Sequence, residues 1–562
     1  METMNCSQAR RLLIACADRV IRNEPWLTRI DSAIGDGDHG IGMKNGMLAA
    51  KAYLEGEGAK EDNVYALYTG MADAMRRAMG GASGMIFSTL FAGRAAEKKP
   101  ARDIGPGELA MQMKEGLEAI QALGGAKVGD KTMVDALSPA VDAMLKNCSS
   151  FEEMFTAAEA AAKAGMEKTK DYRARFGRAK SLMERAVGHQ DAGASSTWLI
   201  FAEMLEQTGA KHIPDPKTER PRTETESDPL PWKKKLINRP EDCVREEGEG
   251  FLAAFGKDIE AVPGVNGLVK KKIPEGKTAL VIGGGSGHEP MFGFFLGERL
   301  ADAAANGNVF ASPDPVTIKK TALAAERGGG VLFLYGNYAG DNLNFDRAAE
   351  ELEAQGIRVK TVRVWDDIAS APRERTEERR GIAGDVLMLK IAGAACAELP
   401  LDEAYRVAAK ARDNLYSIGV GLEGATIPGQ KEPIFTLPGD EMEYGLGIHG
   451  EPGIRRVRMQ SADAIAEELV AALLRESGIK KGDTVCTYVN GLGSTTLMEL
   501  MIVNRKLSLL LKEAGIKVHD MDVNSLVTTM EMAGASISIM KMDEELLRYY
   551  DMPCSSPYYT KL

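Results

Sequence analysis

The chain is poor in cysteine, in positive charge and in long apolar runs, and each shortage closes off a class of protein. Its seven cysteines, Cys6, Cys16, Cys148, Cys243, Cys396, Cys486 and Cys554, are scattered, and no two stand at C-x-x-C spacing. Zinc-ligand spacing is therefore missing, and the odd, dispersed set fits reduced thiols in a cytoplasmic protein better than a disulfide framework. A formal net charge of −11 speaks against a nucleic-acid partner, which would require a basic face. An acidic protein that handles phosphates must bring positive charge another way, and divalent metal ions are the obvious source. No apolar run approaches the ~18 residues needed to cross a bilayer, so no membrane partner is expected. Near the start, Arg10-Arg11 precede the apolar stretch Leu12 to Ala17, which is followed at once by Asp18 and Arg19. That is shorter than the ~7–15 residues of a signal core and reads as one face of an amphipathic helix.

Two familiar nucleotide motifs are also missing. Gly276-Lys277-Thr278 looks like the tail of a P-loop, but the first glycine of that motif would fall at Lys271, and the segment precedes its strand. Gly283-Gly284-Gly285-Ser286-Gly287-His288 looks like a dinucleotide loop, but its third glycine would fall at His288. Neither a P-loop ATPase nor an NAD enzyme is supported. No internal repeat or low-complexity tract is present.

What is present is a multi-domain chain: 562 residues exceed one domain, and 44% hydrophobic with 27% charged residues is ordinary globular composition. Residues 1–212 read as helical, rich in alanine and methionine, with apolar residues at helical spacing over Met71 to Arg77 and Phe151 to Met166. Residues 213–232 carry Pro214, Pro216, Pro221, Pro229 and Pro231 among polar residues and read as a solvated, semi-extended linker. Residues 233–562 alternate short β-rich runs with helical stretches, which indicates an α/β fold with a largely parallel sheet. Strands are expected at Thr278 to Ile282, Gly330 to Tyr335, Val359 to Val364 and Thr484 to Val489.

The chemistry-bearing segments follow the same division. Asp31, Asp36 and Asp38 crowd a glycine-punctuated loop ending in His39-Gly40. Three carboxylates at this spacing suit Mg²⁺, which prefers oxygen ligands and keeps room for phosphates. A solvated acidic turn is the other reading, and both stand on this segment alone. Gly80-Gly81-Ala82-Ser83-Gly84 leads into an apolar helix, where free amides and the helix dipole suit a phosphate or the glycines merely allow close packing. Gly129 to Met133, Gly177-Arg178-Ala179 and Gly188 to Gly193 place further small or polar groups at expected helix ends.

Taken in order, these segments resemble the nucleotide-binding (L-type) domain of the dihydroxyacetone kinase family over most of residues 1–200. The second part resembles the family's sugar-binding (K-type) domain over nearly its whole length. It does so through Lys234 to Asn238, Gly283 to Pro290, Asn337 to Asp341, Gly381 to Gly384 and Gly447 to Gly453. The resemblance implies an all-α helical barrel that binds ATP with two Mg²⁺, followed by an α/β ketose-binding domain of two subdomains. It implies a homodimer through the sugar domains. The family's single chains place the sugar domain first; here it is second, which leaves open which chain's domains meet.

Residue roles follow from the resemblance. His449 would add to the ketone carbonyl as a hemiaminal, Asp341 would be the proton acceptor, and His288 would hydrogen-bond the sugar and share the base role. Gly285 would offer a backbone contact. As bland alternatives, His449 is a loop histidine and Asp341 a helix N-cap. Asp31, Asp36 and Asp38 would bind Mg²⁺. His39, Gly40, Ile41, Gly42, Ala82, Ser83, Gly124, Met133, Arg178, Asp191, Ala192 and Gly193 would line the nucleotide, although a lone methionine such as Met133 is more often core. Dihydroxyacetone is the expected substrate. Two departures point to a larger ketose such as erythrulose: Gly336 stands where the family has a lysine, and Glu423-Gly424-Ala425 replaces small hydroxyl or thiol residues. Some family members instead take phosphate from a phosphotransferase-system protein or regulate transcription, which gives an alternative of another class.

Overall fold

A computed structural model of the chain describes residues 3–35, 37, 39–79, 81–177, 186–216 and 235–562. The chain divides into two units, residues 1–228 and 229–562. Residues 217–232 of the expected linker lie outside the described residues.

Among its described residues the first unit is built from nine α-helices, α1 (Cys6–Arg22), α2 (Glu24–Ser32), α3 (His39–Glu55), α4 (Val64–Met79), α5 (Gly81–Ala92), α6 (Pro106–Gly124), α7 (Val134–Lys146), α8 (Phe151–Lys168) and α9 (Ala192–Glu206), with a short antiparallel pair of β1 (Met4–Asn5) and β2 (Asp103–Ile104). The Leu12 to Ala17 stretch lies within α1, whose start is fixed by a capping box between Asn5 and Gln8. Helices α3 to α9 each pack on the next, and α9 also packs on α1. Helix α9 is buried nearly all round, as befits an apolar helix at the centre of its neighbours. Arg19 of α1 is fully buried and pairs with Glu203 at 3.2 Å and Glu206 at 2.9 Å. It also donates to the carbonyl of Ile213 at 2.6 Å, and Arg22 holds Asp215 at 2.6 Å. The proline-rich stretch therefore starts anchored: Ile213 is buried against the helices instead of solvated.

The second unit's first helices among the described residues are α10 (Cys243–Phe255) and α11 (Pro315–Ala325), and the unit holds two six-stranded sheets. The first contains β3 (Ile259–Ala261), β4 (Gly267–Lys270), β5 (Ala279–Ser286), β6 (Ala303–Val309), β7 (Val331–Gly336) and β8 (Val359–Val364) in the order β3-β4-β6-β5-β7-β8. Strands β6, β5, β7 and β8 are parallel. All eight residues of β5 are buried, as expected of a central parallel strand covered on both faces. The second sheet contains β9 (Leu415–Glu423), β10 (Glu441–Tyr444), β11 (Arg455–Arg458), β12 (Thr484–Gly491), β13 (Lys517–Asn524) and β14 (Ala533–Met542) in the order β11-β10-β9-β14-β12-β13. Only its β12–β13 pair is parallel. The four strands read from the sequence are β5, β7, β8 and β12. Sheet order has a direct consequence: β5 leads to β6 on one side while β7 and β8 lie on the other. Such a reversal of strand order opens a crevice at the carboxyl ends of β5 and β7.

Candidate functional site

The crevice at β5 and β7 is where the second unit's candidate residues fall. Gly285 lies near the end of β5 and His288 just after it; Asp341 lies in the first turn of α12 (Ala339–Glu353), which follows β7. The N-cap of α12 is Tyr338, so Asp341 is not the cap. At Gly285 an added Cβ would sit 2.7 Å from backbone atoms of Phe310 and Ala311, so close strand packing alone demands glycine there. His449 comes from the other sheet, on the turn between β10 and β11, and reaches the same place.

The two imidazoles meet. His449 Nε2 lies 3.0 Å from His288 Nε2, and both side chains are buried. His288 Nδ1 is 2.6 Å from the carbonyl of Thr528, which can only accept, so Nδ1 carries a proton. His449 Nδ1 lies 3.1 Å from Glu451 Oε1, which fixes its proton in the same way. The facing Nε2 atoms therefore share one proton between them. The ring of Tyr338 stands edge-on to His449 with centroids 4.8 Å apart, and Phe310 stacks on His288 at 5.0 Å. Phe310 holds a left-handed backbone with φ 55°, a strained conformation of the sort that gathers at functional sites. Thr528 and Thr529, on one loop, clasp both histidine turns: Thr528 holds His288, and the Thr529 hydroxyl donates to the carbonyl of Ile448.

Behind His449 runs a buried ionic chain. Glu451 Oε2 accepts from the His449 amide at 2.9 Å and faces Arg380 Nη1 at 3.8 Å. Arg380 in turn donates to Asp367 Oδ2 at 2.7 Å. A Cβ on Gly447 would fall 2.1 Å from Glu451 Oε2 and 2.5 Å from Arg380 Nη1. That glycine makes room for the ion pair rather than for a ligand. Next to it, Asp366 accepts amides from Ile382 at 2.8 Å and Gly384 at 2.9 Å. Asp385 opens α13 (Asp385–Glu398), and its proton affinity is raised by burial and by the charges of Asp366 and Asp341.

In the first unit the starts of α3, α5, α7 and α9 approach one another. His39 Nε2 bonds Ser196 Oγ at 2.8 Å, and Ser83 Oγ lies 3.4 Å from His39 Nδ1. The His39 amide faces Asp31 Oδ2 at 3.3 Å. A Cβ on Gly193 would touch the Met133 Cβ at 3.3 Å, which joins α9 to α7. Burial lowers the proton affinity of His39 and keeps it neutral. The positive dipole ends of several helices at one place suit an anion. Burial pushes Asp191 up to about 7, with Asp135 and Asp31 adding to the effect. Surplus negative charge beside Asp31 fits a divalent cation with oxygen ligands. Asp36, Asp38 and Arg178 lie outside the described residues, and among the described residues no cluster of three metal-ligating side chains occurs. Ile41 and Ala82 lie in the first turns of α3 and α5, and Ala192 is the first residue of α9. Gly40 instead packs on α2, where a Cβ would clash with Thr28 Oγ1 at 2.2 Å, while Gly42 and Gly124 border open space. Met133 is buried in the helical core.

A Dak1 domain model matches residues 249–558, more than half of the chain, and a DAK2 domain model matches residues 33–206. The chain belongs to the dihydroxyacetone kinase family. An L-erythrulose kinase of Pectobacterium atrosepticum is 44% identical over 332 residues, covering 58% of this chain. A D-erythrulose kinase of Mycolicibacterium smegmatis is 41% identical over 58% of this chain. This chain spans 56% of the length of each of these two kinases. The dihydroxyacetone-binding subunit of a PTS-dependent dihydroxyacetone kinase from Listeria innocua is 40% identical over 58% of this chain and 99% of its own length. Among solved structures, the dihydroxyacetone kinase of C. freundii matches with a TM-score of 0.53 at 28% identity, covering 58% of this chain and 60% of that one.

Within the dihydroxyacetone kinase family this chain carries the Dak2 part before the Dak1 part. The sequence reading overlooked Glu451, Arg380, Asp367, Tyr338, Phe310, Thr528 and Asp385 as site residues. Glu451 and Tyr338 stood inside quoted motifs and offered a local signal. Asp367, Arg380 and Thr528 join the site only through the fold.

Proposed function

We propose that this chain is an ATP-dependent ketose kinase acting on a four-carbon ketose of the erythrulose type. One observation carries the reading: His449, oriented by Glu451, meets His288, oriented by Thr528, Nε2 to Nε2 at 3.0 Å in the crevice that holds Asp341. An imidazole held this way can add to a ketone carbon, and a polyol offers no such carbon. In the capture step the shared proton sits on His288, which leaves the His449 Nε2 lone pair free. A C–N bond forms, the carbonyl π pair moves to oxygen, and His288 hands its proton to that oxygen. The alkylated ring of His449 is then cationic and is balanced by the carboxylate of Glu451, which also faces Arg380.

Asp341 takes the proton of the ketose hydroxyl as its oxygen attacks the γ-phosphorus; the new O–P bond forms while the bond to the bridging oxygen breaks and ADP leaves. The first unit, read as the family's helical barrel, binds the nucleotide at the joined helix starts through His39, Ser83 and Asp191 to Gly193. Asp31, Asp36 and Asp38 would hold two Mg²⁺ ions in the family manner, which would supply charge neutralisation at the phosphates. The family arrangement further suggests a homodimer through the second units.

Dihydroxyacetone is what the sequence alone favours. The relatives named as erythrulose kinases, at 44% and 41% identity, shift the weight to the larger ketose, and Gly336 in place of the family's lysine agrees with them. The PTS-dependent relative favours a second reading, in which phosphate arrives from a phosphocarrier protein. A coupled ADP-release assay with purified protein, Mg²⁺ and ATP across C3 to C6 ketoses and glycerol separates these readings. Turnover of erythrulose with a higher kcat/KM than dihydroxyacetone is expected. Preference for dihydroxyacetone would restore the triose reading, and turnover only after a phosphocarrier is added would replace ATP as donor.

A further inference from the structure

We propose that Asp385 is a specificity-determining residue of the ketose site, its carboxyl receiving the hydroxyl that a four-carbon ketose carries beyond the three-carbon core. The inference rests on the ketose-kinase reading and deepens it.

Asp385 is 7% exposed, and its Oδ1 has no hydrogen-bond partner among the described residues. Its acidic neighbours are provided for: Asp366 accepts two backbone amides, and Asp367 is paired with Arg380. Asp385 receives no such support, and the charges that bear on it, Asp366 and Asp341, are both negative. A carboxyl in that setting holds its proton more tightly than usual, and when protonated it can both accept and donate a hydrogen bond. Burying an oxygen with no partner costs stability, and native structures keep such groups chiefly where a ligand or water completes them.

The location supports a ligand. The charge of Asp341, the candidate proton acceptor, reaches Asp385 and raises its proton affinity. The turn before it, Gly381 to Gly384, abuts the end of β7: a Cβ on Gly381 would lie 2.6 Å from the Cα of Gly336. Glycine is forced at 381 but not at 336. A Cβ on Gly336 would come up against the Tyr338 ring side chain at 3.3 Å and the Gly381 Cα at 3.6 Å, and its φ is outside the left-handed region. Any side chain at 336 would therefore press on the Tyr338 ring, and glycine keeps that space clear of one. That space borders Tyr338, whose ring packs on His449. A buried carboxyl with an unpartnered oxygen, directly after the turn that abuts Gly336, suits the hydroxyl of one more CHOH group of a ketose.

The test compares wild type with Asp385→Ala and Asp385→Asn, using erythrulose and dihydroxyacetone as paired substrates. The ratio of kcat/KM for erythrulose over dihydroxyacetone is expected to fall about tenfold or more in Asp385→Ala. Asp385→Asn, which keeps an acceptor oxygen and a donor, is expected to recover most of that ratio. The melting temperature of Asp385→Ala is expected to match or exceed wild type, since an unsatisfied group is removed. A ratio that holds within about twofold in Asp385→Ala would overturn the inference while leaving the kinase reading intact. Equal loss on both ketoses with a lowered melting temperature would assign Asp385 to the fold and overturn it too. Thermal-shift titration with each ketose alone, without nucleotide, reads the same preference in binding. If wild type neither binds nor turns over any ketose, it is the kinase reading that fails.

Discussion

At the scale of single residues, the second unit's site depends on how His449 is held. Its Nδ1 proton goes to Glu451, and Glu451 is fixed by Arg380 from the other side. Glu451→Gln keeps the shape but removes the charge that balances a cationic ring. It should lower kcat/KM for the ketose by about 100-fold or more while the KM for ATP stays near wild type. Steady-state kinetics with each substrate varied in turn checks both. A general loss of packing would instead move both constants and the melting temperature together. Asp366 gives a pH prediction. Burial pushes its carboxyl up to about 6 from an ordinary 3.8, against the pull of Ser417 and the Ile382 and Gly384 amides. The folded value lies above the unfolded one, so between these pH values the native state binds more protons than the unfolded chain. The contribution of Asp366 to stability is then full below about pH 4 and is lost as pH rises through about 6. Denaturant titrations of wild type and Asp366→Asn from pH 4 to 7 should show a steeper decline in wild type. Parallel curves would mean that Asp366 does not carry the slope.

At the scale of elements, helix ends and strand ends do the positioning. In the first unit the starts of α3 and α9 are joined by the buried His39–Ser196 bond. Ser196→Ala leaves His39 Nε2 without this partner, which should cost about 1–3 kcal/mol of stability and raise the KM for ATP while the KM for ketose is unaffected. Chemical denaturation and initial-rate kinetics read the two effects separately. Much of this level was legible beforehand. Strands β5, β7, β8 and β12 are β-rich runs bounded by turn residues, and α4 and α8 show plain helical spacing. Strands β6, β9 and β14 were harder to read, because alanine, glycine and serine dilute their β character: β6 reads AAANGNV. The N-cap alternative for Asp341 did not hold. The helix begins at Ala339, after Tyr338, so Asp341 falls inside its first turn. The chain Asp367–Arg380–Glu451 was not legible, because its members lie on three separate segments and only sheet packing brings them together. Asp385 was missed for a related reason. A carboxyl at a helix start looks like ordinary dipole complementation until its burial and its lack of a partner are seen.

At the scale of the whole molecule, each unit has its own hydrophobic core. The helical unit buries a continuous cluster running from Met4 to Ile213. The second unit buries three clusters around its two sheets, between Phe251 and Tyr559. A unit with a complete core can unfold cooperatively by itself, and a chain with two such units need not behave as a single two-state system. A ligand stabilises the unit that binds it by RT ln(1 + [L]/Kd), about 2.7 kcal/mol at a hundredfold excess over Kd. The proposed function assigns nucleotide to one unit and ketose to the other, so calorimetry of the full chain should resolve two transitions. Mg²⁺ with a non-hydrolysable ATP analogue should raise the transition that a Ser196→Ala substitution lowers. Ketose should raise the other one, and Glu451→Gln should abolish that second shift because capture depends on the oriented His449. A single transition shifted alike by both ligands would show the units to be thermodynamically fused. A ketose shift that survives Glu451→Gln would separate binding from imidazole capture and remove the chemical basis for discriminating ketones from polyols.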